Sequence, residues 1–249
     1  MPRFFRFMFA VAFAALLAWT ALPARAGQFH SATEYAVGTH PVAVAVSDFN
    51  RDGIRDLATA NGNVSVLLGK GDGTFQNAVN YAAGTSAHSV ATGDFNGDGW
   101  VDLAASDGGG GVSVSILLGN GDGTFGPPAN YSAGNTPIWV VTGDFNHDGK
   151  LDLAVANYGS NNVAILRGHG DGTFSTGGYF KVGQGPASVA AGDFNHDGSL
   201  DLVVSNGSGS NISVLLNNGS GAFGTPTNYS TAVNPEGVLV SGFNGDHRA

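Results

Sequence analysis

One segment recurs four times along the chain and leaves few folds open. SDFNRDGIRDL begins at Ser47, GDFNGDGWVDL at Gly93, GDFNHDGKLDL at Gly143 and GDFNHDGSLDL at Gly192. The leading aspartates, Asp48, Asp94, Asp144 and Asp193, lie 46, 50 and 49 residues apart. A period near 50 residues marks an array of supersecondary units, each burying an apolar face against the next. A second motif alternates with the first: GKGDGTF at Gly69, GNGDGTF at Gly119, GHGDGTF at Gly168 and the degraded NNGSGAF at Asn217. Six residues after each motif's Phe stands another aromatic, Tyr81, Tyr131, Phe180 or Tyr229, and Phe29 and Tyr35 repeat that spacing near the start.

Each unit offers four short strands. In the second unit they are expected at His88–Asp94, Asp102–Ser106, Val112–Leu118 and Phe125–Ser132. The third alternates apolar residues with Ser, the two-residue period of a half-buried strand. Asp-Gly and Asn-Gly turns separate the strands, as hairpins require. Composition points the same way. Glycine supplies 40 of 249 residues and charged residues only 12%, a mix poor in helix formers. A sandwich has strands at similar spacing but no reason to repeat one loop sequence. The expected fold is therefore all-β, a β-propeller of four-stranded antiparallel blades with four complete repeats. The units run approximately over 41–86, 87–135, 136–185 and 186–234, with a partial fifth over 235–249. Phe29–Val37 matches a lone fourth strand and Val238–Asn244 a lone first strand, with Gly242 where the first Asp would stand.

The first 26 residues carry Arg3 and Arg6, an apolar run from Phe7 to Leu22, and the small-residue triplet Ala24-Arg25-Ala26. This is the pattern of a secretory signal peptide, with cleavage expected before Gly27 and no membrane span afterwards. The leader holds three Arg and no acid, so its removal takes the net charge from −9 to −12. Such a surface repels phosphate and attracts cations, so no nucleic-acid partner is expected. The absence of cysteine excludes a disulfide framework.

The repeated loop carries the chemistry. In Asp94-Phe-Asn96-Gly-Asp98-Gly99-Trp100-Val-Asp102, oxygen-bearing side chains fall at positions 1, 3, 5 and 9. Glycine at position 6 permits the sharp turn that lets them converge, with the backbone carbonyl of position 7 pointing the same way. The four sets are Asp48, Asn50, Asp52, Ile54 and Asp56; Asp94, Asn96, Asp98, Trp100 and Asp102; Asp144, Asn146, Asp148, Lys150 and Asp152; and Asp193, Asn195, Asp197, Ser199 and Asp201. In each set the position-7 residue contributes only its carbonyl. Hard oxygen ligands of this number suit Ca²⁺, about one ion per complete repeat, or four. An EF-hand would need a carboxylate at position 12, where Thr59, Ala105, Val155 and Val204 stand. The plain alternative for one copy is a polar Asp-Gly turn; four copies with every ligand position filled favour the cation. These loops hold 12 of the 19 acidic residues, and three carboxylates in one loop repel each other without a counter-ion.

The GDGTF segments read as hairpin turns, their Asp72, Asp122 and Asp171 structural and Ser220 in the fourth place, and the aromatics as packing between blades. Core or rim packing is likewise preferred for Trp100 and Trp139 over stacking on a sugar. No nucleophile elbow, zincin motif or catalytic triad occurs.

The DxNxDGxxDL loops and GxGDGTF turns together resemble FG-GAP-type repeats, also called VCBS-like repeats, of bacterial secreted proteins and the integrin α-subunit propeller. The resemblance covers Gly27 to the C-terminus and implies that the loop positions named above ligate calcium in a strand–loop–strand hairpin. It also implies a ring of about seven blades, more than this chain encodes. The expected function is a secreted calcium-binding module, extracellular, on the cell surface or periplasmic, that binds a protein or glycan partner or mediates adhesion, without catalysis. Two alternatives stay open: a polysaccharide-active, lyase-like enzyme on the same propeller, and a truncated structural segment of a larger secreted protein. The first would need a basic cluster at the central channel, and only 7 basic residues follow the leader.

Overall fold

The computed structural model describes residues 32–241. They form sixteen strands in four antiparallel sheets, with no helix among the described residues. The first sheet comprises β1 (Ala43–Ser47), β2 (Asp56–Ala60), β3 (Val64–Leu67) and β4 (Val79–Tyr81). The second comprises β5 (Ala87–Gly93), β6 (Asp102–Asp107), β7 (Ser113–Leu117) and β8 (Ala129–Ser132). The third comprises β9 (Pro137–Gly143), β10 (Asp152–Asn157), β11 (Asn162–Gly168) and β12 (Phe174–Lys181). The fourth comprises β13 (Pro186–Gly192), β14 (Asp201–Asn206), β15 (Asn211–Leu215) and β16 (Thr227–Ser230). Strands in every sheet pair in chain order, the up-and-down connectivity of a propeller blade.

The second strand is wholly buried in three blades and nearly so in the first, where the third strand is the wholly buried one, and the fourth strand is the most exposed. The apolar core is correspondingly divided. One buried cluster joins Phe49, Ala58 and Val64 of the first blade to Val90, Leu103 and Phe125 of the second. A second cluster fills the next junction and a third the one after it. No blade buries its own faces alone, which is why the repeat must be stacked. The first strands β1, β5, β9 and β13 surround a central channel of about 680 Å³, together with Val238–Val240.

The first three strands of the second blade lie within one residue of their sequence-based bounds, whereas its fourth strand and the two end segments depart further. The fourth strand of the second blade starts at Ala129 rather than Phe125; Pro127 and Pro128 offer no N–H to a ladder there, and β4 starts in the same register, at Val79, without a proline. Phe125 keeps one isolated bridge to Gly119. At the ends, neither Glu34–Val37 nor Val238–Ser241 is a regular strand. Among the described residues neither has middle strands to pair with. The rest of both expected end strands, and the whole leader Met1–Ala26, lie outside the described residues. No helix of the described residues is long and apolar enough to cross a membrane.

Candidate metal-binding loops

Each DxNxDGxxDL segment joins the first strand of a blade to the second, and its nine residues close through one repeated set of hydrogen bonds. The position-6 N–H donates to Oδ2 of the position-1 Asp: Gly53 to Asp48 at 2.9 Å, Gly99 to Asp94 at 2.8 Å, Gly149 to Asp144 at 2.9 Å and Gly198 to Asp193 at 2.9 Å. The position-5 N–H donates to the Asn carbonyl at position 3, at 3.0–3.1 Å in all four loops. The Asn amide returns a bond to the position-5 carboxylate. That carboxylate also accepts the N–H of position 7, from Ile54, Trp100, Lys150 or Ser199. In the last loop the Ser199 N–H, with the Asn195 amide second, holds the Asp197 carboxyl below the usual range.

Two turns of left-handed backbone make this closure possible. Position 6 is glycine with φ between 78° and 88° in every loop. Position 4 is left-handed too: Arg51 at 57°, Gly97 at 74°, His147 at 59° and His196 at 61°. The residue type at position 4 varies, but its conformation does not, and three units carry a side chain where glycine would be less strained.

The position-9 aspartates do something that spacing alone conceals. Asp56, Asp102, Asp152 and Asp201 are fully buried. In each, Oδ2 accepts the N–H of the loop's position-2 Phe at 2.8–3.1 Å. Oδ1 accepts the N–H of the first residue of the second motif, Gly69, Gly119, Gly168 or Asn217, at 2.7–2.9 Å. One carboxylate thus fastens the DxNxDG loop to the GDGTF turn of its own blade, and this explains why the two motifs travel together. Burial pushes the Asp102 carboxyl up to about 6, against the two N–H donors that lower it, and neighbouring Asp98 and Asp94 add to the rise. Asp152 is raised for the same reasons.

The GDGTF turns spend their own acids internally. Asp72, Asp122 and Asp171 accept both the N–H and the hydroxyl of Thr74, Thr124 and Thr173, whose hydroxyls hold those carboxyls below the usual range. In the degraded copy the pattern shifts by two residues: Ser220, in the Asp position, donates its N–H and hydroxyl to Asn218. Trp100 lies under the Arg51 guanidinium of the preceding loop, 3.9 Å from its ring centroid, so it braces two loops.

Positions 1, 3, 5 and 9 of each loop are brought into one hydrogen-bonded turn, although no three His or acidic side chains among the described residues gather into a ready metal cage. One oxygen has no donor: Asp48 Oδ1 is buried without a hydrogen-bond partner. A buried carboxylate oxygen in that state fits a hard cation. Asp48, Asn50, Asp52 and Asp56, with the carbonyl of Ile54, would hold it, and the corresponding residues would do so in the other three loops.

No curated protein matches the chain. Among solved structures it is similar to a protein from Lactobacillus plantarum, with 16% identity over 82% of this chain and a TM-score of 0.58. It is also similar to a functionally unknown protein from Desulfotomaculum acetoxidans, with 15% identity over 80% of this chain and a TM-score of 0.55. The chain spans 60% and 59% of the lengths of those two structures. At such identity the likeness concerns the fold alone. The FG-GAP-like repeat profile matches three overlapping stretches, residues 48–105, 94–155 and 144–204. Those matches start on Asp48, Asp94 and Asp144, so the unit they recognise is the loop-and-blade repeat described above, and the chain belongs to the FG-GAP-like repeat family.

Proposed function

We propose that the protein is a secreted, calcium-stabilised binding module without catalytic activity. The observation that supports this reading is the repeated loop: four nine-residue turns closed by the same hydrogen bonds, with three carboxylates and one amide in the sequence of each. Bound Ca²⁺ supplies charge neutralisation, not reaction chemistry. Four ions would bring the charge of the chain after the leader from −12 to −4. The acidic balance, and the absence of Lys and Arg among the described residues that line the channel, weigh against a lyase acting on anionic polysaccharides. The partner is an extracellular protein or a glycan.

Calorimetric titration of calcium into dialysed protein starting at Gly27 is expected to give a stoichiometry near four. A value of zero or one overturns the reading. N-terminal sequencing of the exported protein is expected to begin at Gly27; retention of Met1 in a membrane fraction would show an anchor.

A further inference from the structure

The repeat keeps its loops and turns nearly constant but diverges at one position that faces the channel. Six residues before each loop's first Asp stand Val42, His88, Ile138 and Ala187, and Glu236 occupies the same register before Gly242. These five side chains come together at one end of the channel, lining a cavity of about 580 Å³. That end lies at the starts of the first strands, opposite their loop-bearing ends. Trp139 and Tyr158 form its aromatic wall, and Ser208 and Asn234 add polar groups to it. Folding explains the constant positions, and Trp139 packs in part on the third inter-blade core, whereas nothing in blade packing calls for His and Glu where sister units carry Val, Ile and Ala.

We infer that this channel mouth seats the neutral end of a saccharide chain. The inference rests on the binding-module reading and names its ligand class. The volume suits one or two sugar rings. Trp139 and Tyr158, the latter 45% exposed, offer flat apolar faces to the C–H side of a pyranose. The polar groups match vicinal hydroxyls. His88 Nδ1 lies 3.2 Å from the Ser86 carbonyl, so Nδ1 carries the proton and Nε2 is the free acceptor of the neutral ring. Glu236 is an acceptor for sugar hydroxyls, and Asn234 provides both donor and acceptor. The Tyr158 and Ser208 hydroxyls, 3.1 Å apart, hold two neighbouring hairpin tips together at the rim. Among the described residues that line the cavity Glu236 is the one carboxylate and there is no Lys or Arg, so sulfated, phosphorylated and uronic acid sugars are disfavoured.

The test is calorimetric titration of the mature protein, in calcium, with methyl glycosides of neutral hexoses and N-acetylhexosamines, and with glucuronate. A neutral glycoside is expected to bind, glucuronate to bind more weakly, and Glu236→Gln to weaken binding about tenfold or more. Trp139→Ala should do the same, and Gln76→Ala, exposed beside the first GDGTF turn at the loop-bearing end, should leave affinity unchanged. Trp139 also packs on the third inter-blade core, so far-UV circular dichroism and calcium stoichiometry are measured on every variant, and Glu236→Gln keeps the test decisive if Trp139→Ala unfolds. The inference is overturned if no neutral glycoside binds at millimolar concentration, if glucuronate binds more tightly, or if Glu236→Gln binds as the parent does. A protein ligand lost on Glu236→Gln, with no glycoside bound, would give the mouth to a polypeptide instead. A calcium stoichiometry near four alongside any of these results leaves the binding-module reading standing; a stoichiometry near zero would remove that reading separately.

Discussion

At Asp102 both carboxylate oxygens accept backbone N–H groups inside the blade, whereas Asp98, four residues earlier, faces solvent and binds only within its own loop. The two residues belong to one expected ligand set but carry different loads. Asp102→Ala strands two buried donors, the N–H groups of Phe95 and Gly119, and is expected to cost about 2–4 kcal/mol in calcium and in chelator alike. Asp98→Ala is expected to remove one calcium site of four and to leave the chelated protein's melting temperature nearly unchanged. Equal losses for the two variants in chelator would refute the division of labour. The raised Asp102 carboxyl also sets a pH dependence. Its folded value of about 6 lies above the ordinary 3.8, so ionising it opposes folding, and that penalty is relieved as pH falls through 6. Asp152 shifts in the same direction. The lowered groups Asp72, Asp122, Asp171 and Asp197 lose their contribution only below their ordinary range, outside this window. In chelator the melting temperature should therefore rise between pH 7 and pH 5, while calcium affinity falls over the same interval. A chelated protein that melts lower at pH 5 contradicts this assignment.

Between elements, the junctions are built on one aromatic arrangement. The turn Phe of each later blade inserts edge-on between the loop Phe and the fourth-strand aromatic of the blade before it. Phe125 meets Phe49 and Tyr81 at 5.5 and 5.4 Å, Phe174 meets Phe95 and Tyr131 at 5.5 Å each, and Phe223 meets Phe145 and Phe180 at 5.9 and 5.2 Å. Phe75 of the first blade has one such partner among the described residues, Tyr35 at 5.5 Å. Phe174 is 7% exposed and Phe75 only half-buried. Phe174→Ala is expected to cost about 3–5 kcal/mol and Phe75→Ala clearly less, measured by urea unfolding. Equal costs would mean that the clamp adds nothing to burial. These aromatics were visible in the chain at a six-residue spacing because they sit in repeated motifs, but the rings that touch belong to neighbouring blades, as Phe125 and Tyr81 do. The carboxylate clamp was not, because a bond from Asp102 to Gly119 crosses 17 residues and the Asp already had a role in the loop pattern. The end segments were read as strands from their match to a repeat, but a strand is made by its neighbours, and among the described residues Val238–Ser241 has none of the middle strands that pair in a complete blade. The channel mouth left no motif at all, since its five register-matched residues differ in type and lie roughly 50 residues apart.

Across the whole molecule, stability has few sources. There is no disulfide, the cores at the blade junctions are rich in Ala and Val rather than large side chains, and twelve carboxylates are concentrated in four loops. Calcium bound to the folded chain and not to the unfolded one adds stability by mass action. A site with a dissociation constant of ~10⁻⁴ M in ~10⁻³ M calcium contributes about 1.4 kcal/mol, and four independent sites contribute roughly 5–6 kcal/mol. That sum matches the total stability of many single domains. Chelation is therefore expected to lower the melting temperature steeply, and excess calcium to restore it. Magnesium should restore it poorly, since its smaller shell demands near-octahedral ligands and it gives up water reluctantly, whereas these loops offer a shallow arc of oxygens on a backbone already committed to two left-handed residues. A melting curve unchanged in chelator would make the four loops turns and nothing more. The buried, donor-free oxygen of Asp48 would then require another partner, such as an ordered water.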